Sequence, residues 1–130
     1  MPVPSIPTYS PAAKIAAHTS FRDLIDSGAG AGFIRLRSSA DVLLGQVPLS
    51  DPCGTVHGTT GQLTLSIAGP DTAADASGTI AYGEICDSDG DVHLAIPAQA
   101  GSAPVSGKIV MNTLTVLAGG PIDVISATIG

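Results

Sequence analysis

Two hydrophobic periods divide this chain. Between Ser10 and Gly28 the apolar residues recur at helical spacing, with Ala17, Phe21, Leu24 and Ile25 on one face and Lys14, His18, Arg22 and Asp26 largely away from it. Ser10 can cap a helix start, and Pro11 at the first helical position gives up an amide hydrogen that had no partner there. Ala12, Ala13, Ala16 and Ala17 favour the same conformation. The pattern predicts one helix over about 11–27, with a shorter helix starting at the Thr19/Ser20 cap as the alternative.

After Gly32 the period falls from 3.6 to two. Phe33–Arg37 alternates, with Ile34 and Leu36 on one side and Phe33, Arg35 and Arg37 on the other. Val42–Val47 follows a polar turn. Pro48 and Pro52 then interrupt the pattern, so 48–61 reads as a loop. Gln62–Ile67 is the cleanest strand, and 71–77 is polar loop. Thr79–Cys86 and Val92–Ile96 read as a hairpin folded over Ser88-Asp89-Gly90-Asp91. Pro97–Gly107 is a second loop. Lys108–Leu117 is a long strand whose apolar parity slips at Asn112-Thr113, which indicates a bulge. Ile122–Ile129 is the last strand. The expected fold is therefore mainly β: seven or eight strands in an antiparallel β-sandwich or jelly roll, with one N-terminal helix. Without βαβ alternation an α/β fold is disfavoured.

Residues 1–10 stand apart. Pro2, Pro4 and Pro7 forbid helix and favour an extended arm. The division is an arm over 1–10 and a single domain over 11–130. A disordered tail is one reading of it; laid instead on a neighbouring subunit, the arm would make contact through Val3, Ile6 and Tyr9.

Composition narrows the function classes. The 130 residues carry a net charge of -6 and only five Lys and Arg, which argues against nucleic acid or an anionic membrane as partner. Charged residues make up 12%, leaving a surface of Ser, Thr, Asn and Gly that is poorly protected against association. That surface suits a protein packed against copies of itself or a partner. Arg35 and Arg37, the only close basic pair, are placed on a solvated or subunit-facing surface. No apolar run reaches the ~20 residues of a membrane span. The N-terminus lacks the basic and apolar regions of a signal peptide.

Candidate chemistry is sparse. Asp87, Asp89 and Asp91 could coordinate Ca²⁺, but the Gly falls at loop position 4 and position 12 is Ala98, so this is no EF-hand. A tight hairpin turn accounts for the same residues. Cys53 with His57, and Cys86 with His93, lack the further ligands of a zinc site and the orienting groups of a nucleophile pair. Cys53 and Cys86 could pair, but two cysteines are no framework, and they read as two reduced, mostly buried thiols. Asp71, Asp75 and Glu84 could supply paired carboxylates for sugar hydrolysis. A chain with no Trp, two Tyr and two Phe offers little for a sugar to stack on. The reading is non-enzymatic, with no cofactor.

The order of features resembles a known family. FRDLIDSGAGAGFIRL is followed by QLTLSIA, then by ADASGTIAYGEICDSDGDVHLAI, and last by LTVLAGGPIDVISATI. Over about residues 12–129 this is similar to small virion proteins of tailed bacteriophages, among them capsid decoration or cement proteins with jelly-roll or related folds. The resemblance implies a homo-oligomer that binds the major capsid protein on the capsid surface of the virion and stabilises the head. No catalytic residues come with it. A tail- or baseplate-associated β domain is the alternative within virions. A calcium-dependent or glycan-binding module using Asp87, Asp89 and Asp91 is the alternative outside them.

Overall fold

Local chemistry sets the first element as expected. The computed structural model describes Val3 and residues 7–130, so Ile6 lies outside the described residues. Helix α1 spans Pro11–Ile25, with Ser10 as its cap and the Ser10 hydroxyl accepting from the Ala13 amide at 3.2 Å. At the other end the Ser27 hydroxyl donates to the Leu24 carbonyl at 2.7 Å.

The roll of α1 differs from the apolar periodicity. Ile25 is fully buried and Phe21 packs on the core, but Ala17 is exposed and Leu24 is 44% exposed. Lys14, His18, Arg22 and Asp26 are half-buried instead. Polar contacts fix this rotation. The His18 ring bonds the Gly61 carbonyl, and the Asp26 carboxylate accepts the Cys53 amide at 3.0 and 3.1 Å. The aliphatic stems of Lys and Arg can cover apolar surface as well as alanine can.

The strands are β1 (Phe33–Arg37), β2 (Leu43–Val56), β3 (Leu63–Ile67), β4 (Gly78–Thr79), β5 (Tyr82–Cys86), β6 (Val92–Ala100), β7 (Ile109–Met111), β8 (Thr115–Val116) and β9 (Val124–Ile129). Seven of them close into a barrel in the order β1-β2-β3-β9-β7-β6-β5, while β4 and β8 form a separate two-stranded sheet. Within the barrel only β6–β7 is parallel. The mainly β class with one helix thus holds, and the strands form a closed mixed barrel where two antiparallel layers were expected. Closure removes the open sheet edges that would otherwise template association.

One long strand makes closure possible, in the stretch read as a loop. β2 runs through Pro48 and Pro52, both of them exposed. Its first half pairs with β1, from Arg37↔Leu43 to Phe33↔Pro48. Its second half pairs with β3, from Gly54↔Leu65 to Val56↔Leu63. The register breaks between Leu49 and Gly54, where the strand turns the barrel corner. Pro52 sits within that irregularity, where a missing amide hydrogen is tolerated, and Pro48 is the last residue of β2 paired with β1. Only 57–61 remains as a turn. β6 likewise continues through Pro97 to Ala100, shortening the second expected loop.

The parity slip at Asn112-Thr113 marks more than a bulge. The expected strand Lys108–Leu117 divides there into β7, which stays in the barrel, and β8, which leaves it to pair with β4. The core is aliphatic: Ile34, Leu36, Val47, Leu63, Ile85 and Ile109 are completely buried. Packing is tight at Gly83, where a Cβ would lie 2.1 Å from Ile109 Cδ1.

Candidate functional site

The β5–β6 hairpin carries the acidic turn, and it is organised from within. Asp87 Oδ1 accepts the amides of Asp89 and Asp91, each at 3.0 Å, while Oδ2 contacts His93 Nε2 at 2.8 Å. Gly90 takes a φ of +88°, the left-handed conformation this turn requires. The His93 bond first, and then the two backbone amides, hold the Asp87 carboxyl below the usual carboxylate range against an opposing effect of burial.

This geometry separates the three aspartates. Asp87 is buried with both oxygens engaged, whereas Asp89 and Asp91 are exposed. Among the described residues, no group of three His, Cys, Asp or Glu side chains is gathered to hold a metal ion. The turn residues therefore act first as fold-forming groups.

Arg35 and Arg37 project from the outer face of β1, as the alternation requires, but both are engaged by the chain itself. Arg35 donates to the Gly90 carbonyl at 3.2 Å, and its guanidinium lies 5.2 Å from the centre of the Phe33 ring. Arg37 pairs with Glu84 on the neighbouring strand β5 and donates to the Asp41 carbonyl at 3.1 Å. Both arginines are half-buried. Of the expected arm contacts, Val3 is 98% exposed and Tyr9 75%.

The Cys–His pairs do not form sites. The Cys53 thiol faces the Arg22 carbonyl at 3.8 Å, and burial, then the Asp26 charge, pushes it up to about 12. His57 instead uses Nδ1 to accept the Thr59 and Thr60 amides. The Cys86 thiol faces the Glu84 carbonyl at 3.5 Å and is raised by burial, while His93 serves Asp87. Both cysteines are free. The carboxylates considered for sugar hydrolysis are also dispersed. Asp71 accepts the Gln46 and Ala73 amides, Glu84 pairs with Arg37, and Asp75 is exposed.

Sequence reasoning missed one concavity. A cleft of about 190 Å³ opens where the chain leaves the barrel, between Asn112, Thr115 and Val116 on one side and Ile122 and Asp123 on the other. Drug-sized ligands occupy roughly 300–1,000 Å³, so this cleft is small. The parity slip at Asn112-Thr113 was its only signal in the sequence. No helix among the described residues is long and apolar enough to cross a membrane.

No known protein family, curated protein or solved structure matches this chain.

Proposed function

We propose that this chain is a non-enzymatic structural protein of a tailed-phage virion, a decoration protein that binds the major capsid protein lattice and stabilises the head. One observation carries most weight: of the apolar contacts expected of the arm, the two described, Val3 and Tyr9, are 98% and 75% exposed. Exposed apolar residues on a proline-rich segment suit docking on another surface, because proline lowers the entropy lost on binding. The body behind them is a closed barrel whose main charged groups are engaged internally. Asp71, Asp87, Glu84, Arg35 and Arg37 all bind the chain's own groups. This leaves a barrel suited to bearing load between neighbours.

The finer fold label belongs to the same proposal. A barrel fed by one long corner-turning strand is compatible with a flattened, jelly-roll-like body of the kind the resemblance implies. Partners in this reading are the major capsid protein and further copies of the chain. Immunogold labelling of intact particles tests the assignment. Label over the head is the expected outcome, and label confined to the tail or baseplate overturns it.

A further inference from the structure

The turn that follows β2 holds the helix to the barrel, and a histidine holds the turn. His57 Nδ1 accepts the Thr59 amide at 3.1 Å and the Thr60 amide at 3.0 Å. Two backbone bonds complete the turn, from the His57 amide to the Gln62 carbonyl and from the Gly61 amide to the His57 carbonyl. An imidazole nitrogen that accepts hydrogen bonds carries no proton, so this arrangement requires Nδ1 to be bare. It mimics an asparagine turn, in which a side-chain oxygen accepts the amides that follow it.

Helix α1 rests on this turn. The Gly61 carbonyl bonds His18 Nδ1, and a Cβ added at Gly61 would lie 2.5 Å from Lys14 Cβ and 3.0 Å from the Ile15 nitrogen. Gly61 also takes a φ of +77°, so the turn is nested against the first turns of the helix in a conformation specific to glycine.

We propose that His57 is a pH-sensitive latch: protonation at Nδ1 breaks the 57–61 turn and loosens the docking of α1. In the protonated ring Nδ1 becomes a donor that faces two amide donors, so both bonds are lost together. The ionisable groups that α1 brings to the turn are Lys14 and His18, both basic. β2 and β3 flank it with Val56 and Gln62, and no ion pair among the described residues involves His57. Acidification therefore gathers like charge at the turn. His18 Nδ1 donates to the Gly61 carbonyl, and positive charge on that ring would only strengthen the bond, so a loosening of α1 is to be traced to His57. This inference does not depend on the proposed function, because it concerns the isolated chain.

The test is amide exchange by NMR on the full chain, expressed as protection factors to remove the intrinsic pH dependence of exchange. The span is from about pH 7.5 to about pH 5, across which imidazoles titrate. Wild-type protection at Thr59 and Thr60 is expected to fall by about five- to tenfold, the worth of a lost turn cap. Protection at His18 and Thr19 in α1 should fall in step. H57N, whose side-chain oxygen can replace Nδ1 without titrating, should stay level across the range. H57A should show low protection at both ends. A level wild type overturns the latch. So does an H57N variant that loses protection as the wild type does, or a turn that opens while the helix amides stay unchanged.

Discussion

The rotation of α1 makes a prediction that separates neighbouring residues. Ile25 is 0% exposed and sits in the central apolar cluster, while Leu24, equally apolar and one position earlier, is 44% exposed. Truncating Ile25 to alanine removes buried carbons and leaves a cavity between the helix and the barrel. Substitutions of this kind cost about 2–5 kcal/mol. With a urea slope of about 2 kcal/mol per molar for a small domain, the unfolding midpoint should drop by about 1–2.5 M. Leu24→Ala removes a side chain that already faces solvent over much of its surface, and exposed substitutions usually change stability by about 0.5 kcal/mol or less. Its midpoint should therefore move by only about 0.25 M. The assay is urea unfolding of both variants beside the wild type, followed by circular dichroism. Equal losses for the two variants would refute the observed roll and restore the face that periodicity alone selects.

Further outcomes follow from the contacts around this helix and the acidic turn. The Asp87 carboxyl is held below its ordinary value, so its contribution to stability is present above the unfolded-state value of about 3.9. That contribution is lost as pH falls through the lowered native value. Asp87→Asn should flatten the acid limb of the stability–pH curve, and an unchanged limb would show that Asp87 is not the linked group. Neither thiol should react in the native state at pH 8: Cys53 is pushed up to about 12 and Cys86 is raised, both chiefly by burial. An aromatic disulfide reagent should label them only after denaturation, and fast native labelling would contradict their placement. Gly32→Ala sets a Cβ 2.4 Å from the Cys86 carbonyl oxygen and 2.6 Å from Ile25 Cγ2, which should cost about 1–3 kcal/mol. Gly58→Ala meets nothing within 4 Å and should be close to neutral in the same denaturation assay. Deleting residues 2–9 should weaken capsid binding and leave the circular dichroism spectrum intact. Unchanged binding would remove the arm from the account.

Local pattern was legible where one physical effect dominated. The Ser10-Pro11 start, the alternation of Phe33–Arg37 and the hairpin turn around Gly90 each rest on chemistry within a few residues. The failures have one origin, which is that distant partners decided them. Pro48 and Pro52 look like strand breakers until β1 and β3 are found pairing with opposite ends of the same strand. Ala17 and Leu24 look like core until His18 and Asp26 bind groups more than twenty-five residues away. Closure of the barrel depends on β3–β9 and β5–β1 pairings that no short-range signal encodes. The candidate sites were legible in part. The turn role of Asp87 follows from its spacing to Gly90, but its bond to His93 does not. Likewise, nothing in C-x₃-H spacing shows that His57 faces the Thr59 and Thr60 amides while Cys53 faces Arg22.

The most direct test of the proposed function is cosedimentation of the purified chain with emptied, expanded tailed-phage heads, with bound copies counted per capsid subunit. The account predicts saturable binding at a simple lattice ratio, such as one copy per capsid subunit. A chain that stays in the supernatant at every concentration, as a monomer by light scattering, would contradict it.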